Sequence, residues 1–264
     1  MAASLLLPLT ESTDVAMVGG KAAALANMLH AGISVPPGFV ITTAVTALTP
    51  DLEASILDRF DALHASFVAV RSSAVGEDSG DAAWAGQLDT FLNTTRDELI
   101  DNIKKCWESA QSERAASYAQ QRSLQATKPA VIVQAMVQSE VSGVAFSAHP
   151  VTQNREQIVI EAGFGLGEAI VSGQITPDTY ITDKTSGDII EKHVSNQLKQ
   201  LKQSGWKELG EAGAKQKLSD EEITALALQV RQLEQHFGYP VDVEWARADG
   251  AWYILQARPI TTLA

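Results

Sequence analysis

Gly19-Gly20-Lys21 opens a run of helix-forming residues, a setting in which a phosphate group finds hydrogen-bond donors. Backbone amides at a helix start lack intrahelical partners, the helix dipole is positive there, and a lysine adds a full charge. The segment is not a Walker A loop, because the upstream glycine is missing and Ala22 stands where Ser or Thr would bind magnesium. By itself it is either a phosphate cradle or a plain turn. Any metal ligands must come from elsewhere.

Near the C-terminus, Asp242 and Glu244 alternate with Val241, Val243 and Trp245, so both carboxylates face one side of a strand. On the returning strand Gln256 and Arg258 share a face, with Leu255 and Ala257 opposite. A three-residue loop, Ala248-Asp249-Gly250, with glycine in the left-handed position, pairs Glu244 with Ile254 and Asp242 with Gln256. Both polar sets then lie on one face. Two acids, an amide and an arginine there can hold magnesium and polyphosphate together, hard oxygens for the cation and guanidinium for the anion. The alternative is a solvated face with a surface Asp–Arg pair; strands of buried type beside it, with Trp245 and Trp252, favour the ligand site.

Val68-Ala69-Val70-Arg71-Ser72-Ser73 places Arg71 at the end of a buried strand, where ligand crevices open in α/β proteins. The Gly/Ala/Asp-rich loop that follows, through Gly86, can cover a ligand; a surface salt bridge is the competing role for Arg71. Gly163-Phe164-Gly165-Leu166-Gly167-Glu168 departs from the dinucleotide fingerprint and reads equally well as tight turns.

The elements that must position these residues are of mixed type. Leu25, Met28 and Leu29 follow helical spacing up to Ala31-Gly32, and short strands are predicted at 39–42, 66–70 and 88–93, with a helix at 51–65. Thr95 with Glu98 forms a capping box that predicts a helix to about residue 122. Lys128-Pro129 breaks the chain and marks the expected lobe boundary, giving lobes 1–128 and 129–264. Strands then dominate, at 130–137, 143–147, 157–161 and 180–182. Residues 195–217 are polar, rich in Lys and Gln, and read as a mobile stretch. A second capping box, Ser219 with Glu222, starts an amphipathic helix carrying Ile223, Leu226, Val230, Leu233 and Phe237, stopped by Gly238 and Pro240.

Composition narrows the function. A formal net charge of −12 argues against a protein that tracks nucleic-acid phosphates or docks on an anionic membrane. Cys106 is the only cysteine, which excludes internal disulfides and thiolate zinc clusters and fits a reducing cytoplasm. No apolar run reaches the ~18 residues of a membrane span, and no secretory signal is recognisable.

Taken together, Val18-Gly-Gly-Lys21, Val35-Pro-Pro-Gly-Phe39, Val68-Ala-Val-Arg-Ser-Ser-Ala74, Glu77-Asp78, Ala85-Gly-Gln-Leu-Asp-Thr-Phe-Leu-Asn93, the Gly163 to Glu168 segment, Pro177-Asp178, Asp242-Val-Glu-Trp245 and Gln256-Ala-Arg-Pro-Ile260 resemble one family closely. They are similar, in the same order, to the N-terminal ATP-binding domain of phosphoenolpyruvate synthase (pyruvate, water dikinase), pyruvate phosphate dikinase and rifampicin phosphotransferase. The resemblance runs from about residue 14 to 262 and implies an α/β, ATP-grasp-type fold of two lobes, with ATP and Mg2+ between them. It makes Lys21 and Arg71 ligands of the ATP phosphates and puts Gly86 and Thr90 in a loop covering them. Gln134, Ala135 and Met136 match the segment that meets adenine. Glu244 and Gln256 match nucleotide and magnesium ligands, Arg258 a phosphate-binding arginine, and Asp242 an acidic neighbour of the metal. Lys21, Arg71 and Arg258 are then the catalytic cations.

Two departures from the family qualify this. The stretch between Thr43 and Val68 is short, which removes a peripheral helix. These enzymes also pass a phosphoryl group from ATP to a histidine on a swivelling domain, and neither that domain nor a pyruvate-binding barrel is recognisable here. None of His30, His64, His149, His193 and His236 sits in a Thr-Ser-His-Ala setting. The expectation is the ATP half of such a phosphotransferase, partnered by a separate phosphohistidine domain. An antibiotic or glucan phosphotransferase half, or a stand-alone ATP-binding module, are the alternatives.

Overall fold

Two large sheets organise the chain, one in each of two units, Met1–Met136 and Val137–Ala264, and a two-stranded sheet accompanies the second. The computed structural model describes residues 4–74, 90–109 and 128–263. The mixed α/β class expected from the sequence is observed.

In the first unit the strand order is β1-β2-β5-β3-β4, every pair antiparallel: β1 (Leu6–Pro8), β2 (Gly38–Ile41), β3 (Val68–Ser73), β4 (Thr90–Thr94) and β5 (Ala130–Ala135). Phe39, Val70 and Val133 turn one face toward α2 (Pro50–Ala62) and α3 (Leu99–Ser109), where Ile56, Phe60, Ile103 and Trp107 complete a core. Against the other face lies α1 (Val15–His30), burying Ala22, Leu25, Ala26 and Met28. Because helices cover both faces, all six residues of β3 are buried, the charged Arg71 included. The strand after Lys128-Pro129 pairs with β2 and β3, so the first unit extends through Met136. Glu98 accepts the Thr95 amide, one half of a capping box, but the Thr95 hydroxyl donates to the same carboxylate oxygen and the helix itself starts at Leu99. The predicted continuation beyond Ser109 lies outside the described residues, as does Gly86.

The second unit is built on a six-stranded antiparallel sheet of order β13-β12-β6-β7-β8-β9. These are β6 (Val141–Phe146), β7 (Gln157–Phe164), β8 (Asp178–Asp183), β9 (Ile189–His193), β12 (Val241–Ala248) and β13 (Ala251–Pro259). A short helix, α4 (Glu168–Val171), follows β7, and α5 (Asp220–Phe237) starts with the Ser219–Glu222 capping box complete. Val241, Val243, Trp245, Ile158, Ile160 and Tyr180 are fully buried on one face of the sheet, and α5 supplies Ile223, Leu226, Val230 and Leu233 to the same core. Residues of the opposite register, such as Asp242, Glu244, Val144 and Glu161, are only half-buried. One face is core; the other is only partly covered, with Val159 and Ser142 buried on it beside the half-buried acids.

The 195–217 segment is ordered, contrary to its polar composition. It forms the hairpin β10 (Lys199–Lys202) and β11 (Gly205–Glu208) and is pinned at both ends. The Gln197 amide accepts from the Phe164 amide at 2.8 Å and donates to the Phe164 and Lys199 carbonyls, each at 2.9 Å. At the far end the wholly buried Lys217 ammonium pairs with the equally buried Asp178 at 2.8 Å and donates to the Ser195 and Gly213 carbonyls. Asp178 also accepts the Tyr180 hydroxyl at 2.6 Å and the amides of Ser195 and Lys217. Burial, then the Asp178 hydrogen bond and charge, push the Tyr180 phenol above its ordinary range. Polarity alone suggested exposure; the partner that makes a buried lysine tolerable lies in β8, far away in sequence.

Candidate functional site

The hairpin of β12 and β13 turns at Asp249-Gly250, with φ of 51° and 75° and Ala248 opposite Ala251. This is a two-residue turn of type I′, where the sequence predicts three residues. Counting back from it without interruption sets Glu244 against Leu255 and sends the acids and Gln256 to opposite faces. The ladder instead slips by one residue: Trp245 faces Ile254, but Glu244 faces Gln256 and Asp242 faces Arg258. Leu255 is the extra residue of that bulge. The predicted pairings, Glu244 with Ile254 and Asp242 with Gln256, are therefore replaced. The polar sets still share one face, because turn and bulge compensate.

That face is the partly covered one. Gln256 is buried at 6 % exposure directly beside Glu244. Asp242 and Arg258 form an ion pair, with Nε at 2.9 Å and Nη2 at 2.8 Å from the same carboxylate oxygen, Oδ2. Burial pushes the Asp242 carboxyl above the usual carboxylate range; the Arg258 charge and hydrogen bond pull it back, and the Glu244 charge adds to the rise. Glu161 joins the same face through the register Gln256–Glu244–Val144–Glu161 across four strands. Burial, and then the charge of Asp242, raise its carboxyl too. Sequence reasoning missed Glu161: it closes a strand whose preceding residues, Ile158-Val159-Ile160, show no alternation.

This face carries three carboxylates among the described residues, Asp242, Glu244 and Glu161, together with the guanidinium of Arg258. Among the described residues no three His, Cys, Asp or Glu side chains converge closely enough to hold a metal unaided. Magnesium is commonly bound through one or two carboxylates completed by water and substrate phosphates. Glu244 and Gln256, side by side with hard oxygens on a half-open face, fit that requirement. Asp242 fits it less directly, since Arg258 already occupies one of its oxygens.

The first unit gathers the other expected residues on one face of its sheet. Arg71 stands opposite Thr90 and Ile132, and Gln134 stands opposite Ala69 and Gly38, so Arg71, Thr90 and Gln134 share the α1 face. The Gln134 side chain donates to the Pro36 carbonyl at 3.1 Å and ties down the Val35-Pro36-Pro37-Gly38 turn. Beyond it the Ala135 amide donates to Pro37 and the Met136 amide to Phe67, each carrying the strand end into the loops.

Lys21 lies inside α1, after a break. Gly19, at φ 75° and ψ 170°, interrupts the helix, and the turn restarts at Gly20. The Gly20 amide donates to the Ala74 carbonyl at 3.0 Å and the Ala22 amide to Ser73 Oγ at 3.1 Å. Two of the amides expected to greet a phosphate are thus used within the protein. The Lys21 backbone is held against the end of β3, two residues beyond Arg71. The Gly163 to Glu168 segment runs from the end of β7 through Gly165 into α4: Gly165 takes φ 93°, and a Cβ there would lie 2.4 Å from the Leu201 carbonyl oxygen.

Residues 44–264 match the family described as pyruvate phosphate dikinase, AMP/ATP-binding domain. The chain belongs to this family. It is 38% identical over 306 residues to a probable phosphoenolpyruvate synthase of Methanothermobacter thermautotrophicus, covering 95% of this chain and 45% of that protein. It is 37% identical over 310 residues to the rifampicin phosphotransferase of Bacillus subtilis, covering 96% of this chain and 35% of that protein. The chain thus spans less than half the length of these relatives. Both matched stretches are longer than the chain itself, so each relative carries residues within the match that are missing here. Among solved structures, the D-alanine–D-alanine ligase of Bacillus anthracis complexed with ATP aligns at a TM-score of 0.45 and 11% identity, covering 91% of this chain and 54% of that one. Among the described residues no helix is long and apolar enough to cross a membrane.

Proposed function

We propose that this chain is the ATP-binding half of a cytoplasmic phosphoenolpyruvate synthase-like phosphotransferase of ATP-grasp type. The observation that carries the reading is the partly covered face of the second sheet, where Glu244 and Gln256 stand in register beside the Asp242–Arg258 pair. Family membership supports it, and so do the relatives' names, phosphoenolpyruvate synthase and rifampicin phosphotransferase.

In this reading Lys21, Arg71 and Arg258 neutralise phosphate oxygens, while Asp242 orients Arg258 through its two short contacts. Glu244 and Gln256 would hold Mg2+, which screens the phosphate charge when bound. Thr90, with Gly86, borders the phosphates, and Gln134, Ala135 and Met136 border the base. Catalysis of phosphoryl transfer is mostly positioning and charge neutralisation, so these residues suffice for the nucleotide side. The phosphoryl group would pass to a histidine on a separate domain. No histidine here is assigned that role, since none of the five stands in a Thr-Ser-His-Ala setting.

The acceptor beyond that histidine, pyruvate or an antibiotic, is then chosen outside the matched portion. The test is incubation of the 264-residue chain with pyruvate and Mg-ATP, with and without a histidine domain taken from a relative. The expected result is no phosphoenolpyruvate from the chain alone, and phosphohistidine with release of both AMP and inorganic phosphate once the domain is added. Steady turnover by the chain alone would contradict this division of labour.

A further inference from the structure

The break at Gly19 leaves the helix that carries Lys21 with a problem of its own. A helix start exposes unpaired amides, and the usual remedy is a Ser, Thr, Asp or Asn at the N-cap whose oxygen accepts the amide two or three residues on. Here the N-cap position is glycine, which has no side chain to offer. Its φ of 75° with ψ of 170° belongs to a region that only glycine adopts readily. The missing oxygen comes from another element. Ser73, fully buried in β3, accepts the Ala22 amide through Oγ at 3.1 Å across 51 positions of sequence. A Cβ at residue 19 would lie 2.4 Å from that same Oγ and 2.2 Å from the Ser73 carbonyl oxygen. The Ser73 hydroxyl therefore fills the space that an N-cap side chain would fill. The adjacent Ala74 carbonyl takes the Gly20 amide at 3.0 Å.

We infer that Ser73 is a positioning residue: capping the Lys21 helix from the end of β3, it locks that lysine's backbone in register with Arg71 on the same strand. Resting on the reading of Lys21 and Arg71 as phosphate ligands, this adds the device that holds them at a set spacing. Neither residue can then shift alone, because the strand that carries one caps the helix that carries the other. Glycine at 19 is required for the approach; serine at 73 is required for the bond.

The experiment is calorimetric titration of the full chain with Mg-ATP and, separately, with adenosine, in wild type, Ser73→Ala, Lys21→Met and the double variant. A pure loss of fold weakens both ligands alike, whereas a misplaced lysine weakens only the one with phosphates. Ser73→Ala is expected to weaken Mg-ATP about tenfold, the fold-change corresponding to a lost cap of this kind. Adenosine binding is expected to stay at the wild-type level. The double variant is expected to bind Mg-ATP no worse than Lys21→Met, because two residues acting through one interaction are not additive. If circular dichroism shows Ser73→Ala unfolded, Ser73→Cys, which keeps the volume but accepts hydrogen bonds weakly, should show the same selective loss. Wild-type Mg-ATP affinity in a folded variant, equal losses for both ligands, or additive losses in the double variant would each overturn the inference. Absence of Mg-ATP binding by the wild type would overturn the underlying reading along with it.

Discussion

Two polar constellations in the second unit make opposite use of the same residue types. Around Asp178, Lys217 and Tyr180 one acid meets one base, both side chains are wholly buried, and protein groups satisfy both. On the other face of the same sheet Asp242, Glu244 and Glu161 stand in neighbouring register, Asp242 paired with Arg258, and all three remain half-buried. The first group is neutral and closed and fastens the β10–β11 segment to the sheet. The second is rich in carboxylates and only partly covered, with two carboxyls pushed upward in pKa by burial. A buried pair that is complete in itself is structural. A carboxylate-rich face that is only half-buried is the place proposed for a ligand.

The largest expected effect comes from breaking the closed group. Lys217→Met leaves the Asp178 carboxylate buried without its cation and should cost about 3–5 kcal/mol in urea unfolding, the usual penalty for halving a buried ion pair. A loss below about 1 kcal/mol would show that the two groups do not differ in kind. On the partly covered face Arg258→Ala should instead act on binding, weakening Mg-ATP by about 1.5–3 kcal/mol in calorimetry, the range of a charge-assisted contact. An unchanged dissociation constant would leave Arg258 as no more than the partner of Asp242.

The smallest effect has the opposite sign. Glu161 holds its proton more tightly in the folded chain than in the unfolded one, because burial and Asp242 raise its pKa. The native state then binds more protons between the unfolded and folded values, and stability falls as pH rises through that window. Glu161→Gln removes the desolvated charge. Its melting temperature should exceed wild type at pH 7, without added magnesium, and the gain should vanish below about pH 4, where both states are protonated. A melting temperature at or below wild type at pH 7 would remove Glu161 from the carboxylates strained by burial on this face.

What could be read in the sequence was local. The Ser219–Glu222 box and the apolar spacing from Ile223 to Leu233 fix a helix within a few residues, and both are found as predicted. The alternation Val241-Asp242-Val243-Glu244-Trp245 announces its two faces, because a strand with one covered face must alternate. The strand end expected at Arg71 falls two residues later, because Ser72 and Ser73 still pair with Val131 and Ala130. What escaped depended on contacts distant in sequence. Lys217 is buried because Asp178 waits in another strand, and Ser73 caps a helix that begins fifty residues earlier. The bulge at Leu255 belongs to neither class: Asp249-Gly250 is a recognised signal for a two-residue turn, yet alone it gives the wrong register. Only the pairing of Trp245 with Ile254, and of Glu244 with Gln256 after it, shows that the strand carries one residue too many.

The central claim is that the partly covered face completes a binding site for magnesium nucleotide, and calorimetric titration of Mg-ATP into wild type and Glu244→Gln tests it most directly. The expected result is saturable binding by the wild type that weakens when magnesium is withheld. In Glu244→Gln the magnesium-dependent part of that affinity should be lost while the melting temperature stays near wild type. Equal Mg-ATP affinities in the two proteins, or no heat from the wild type at millimolar nucleotide, would contradict it.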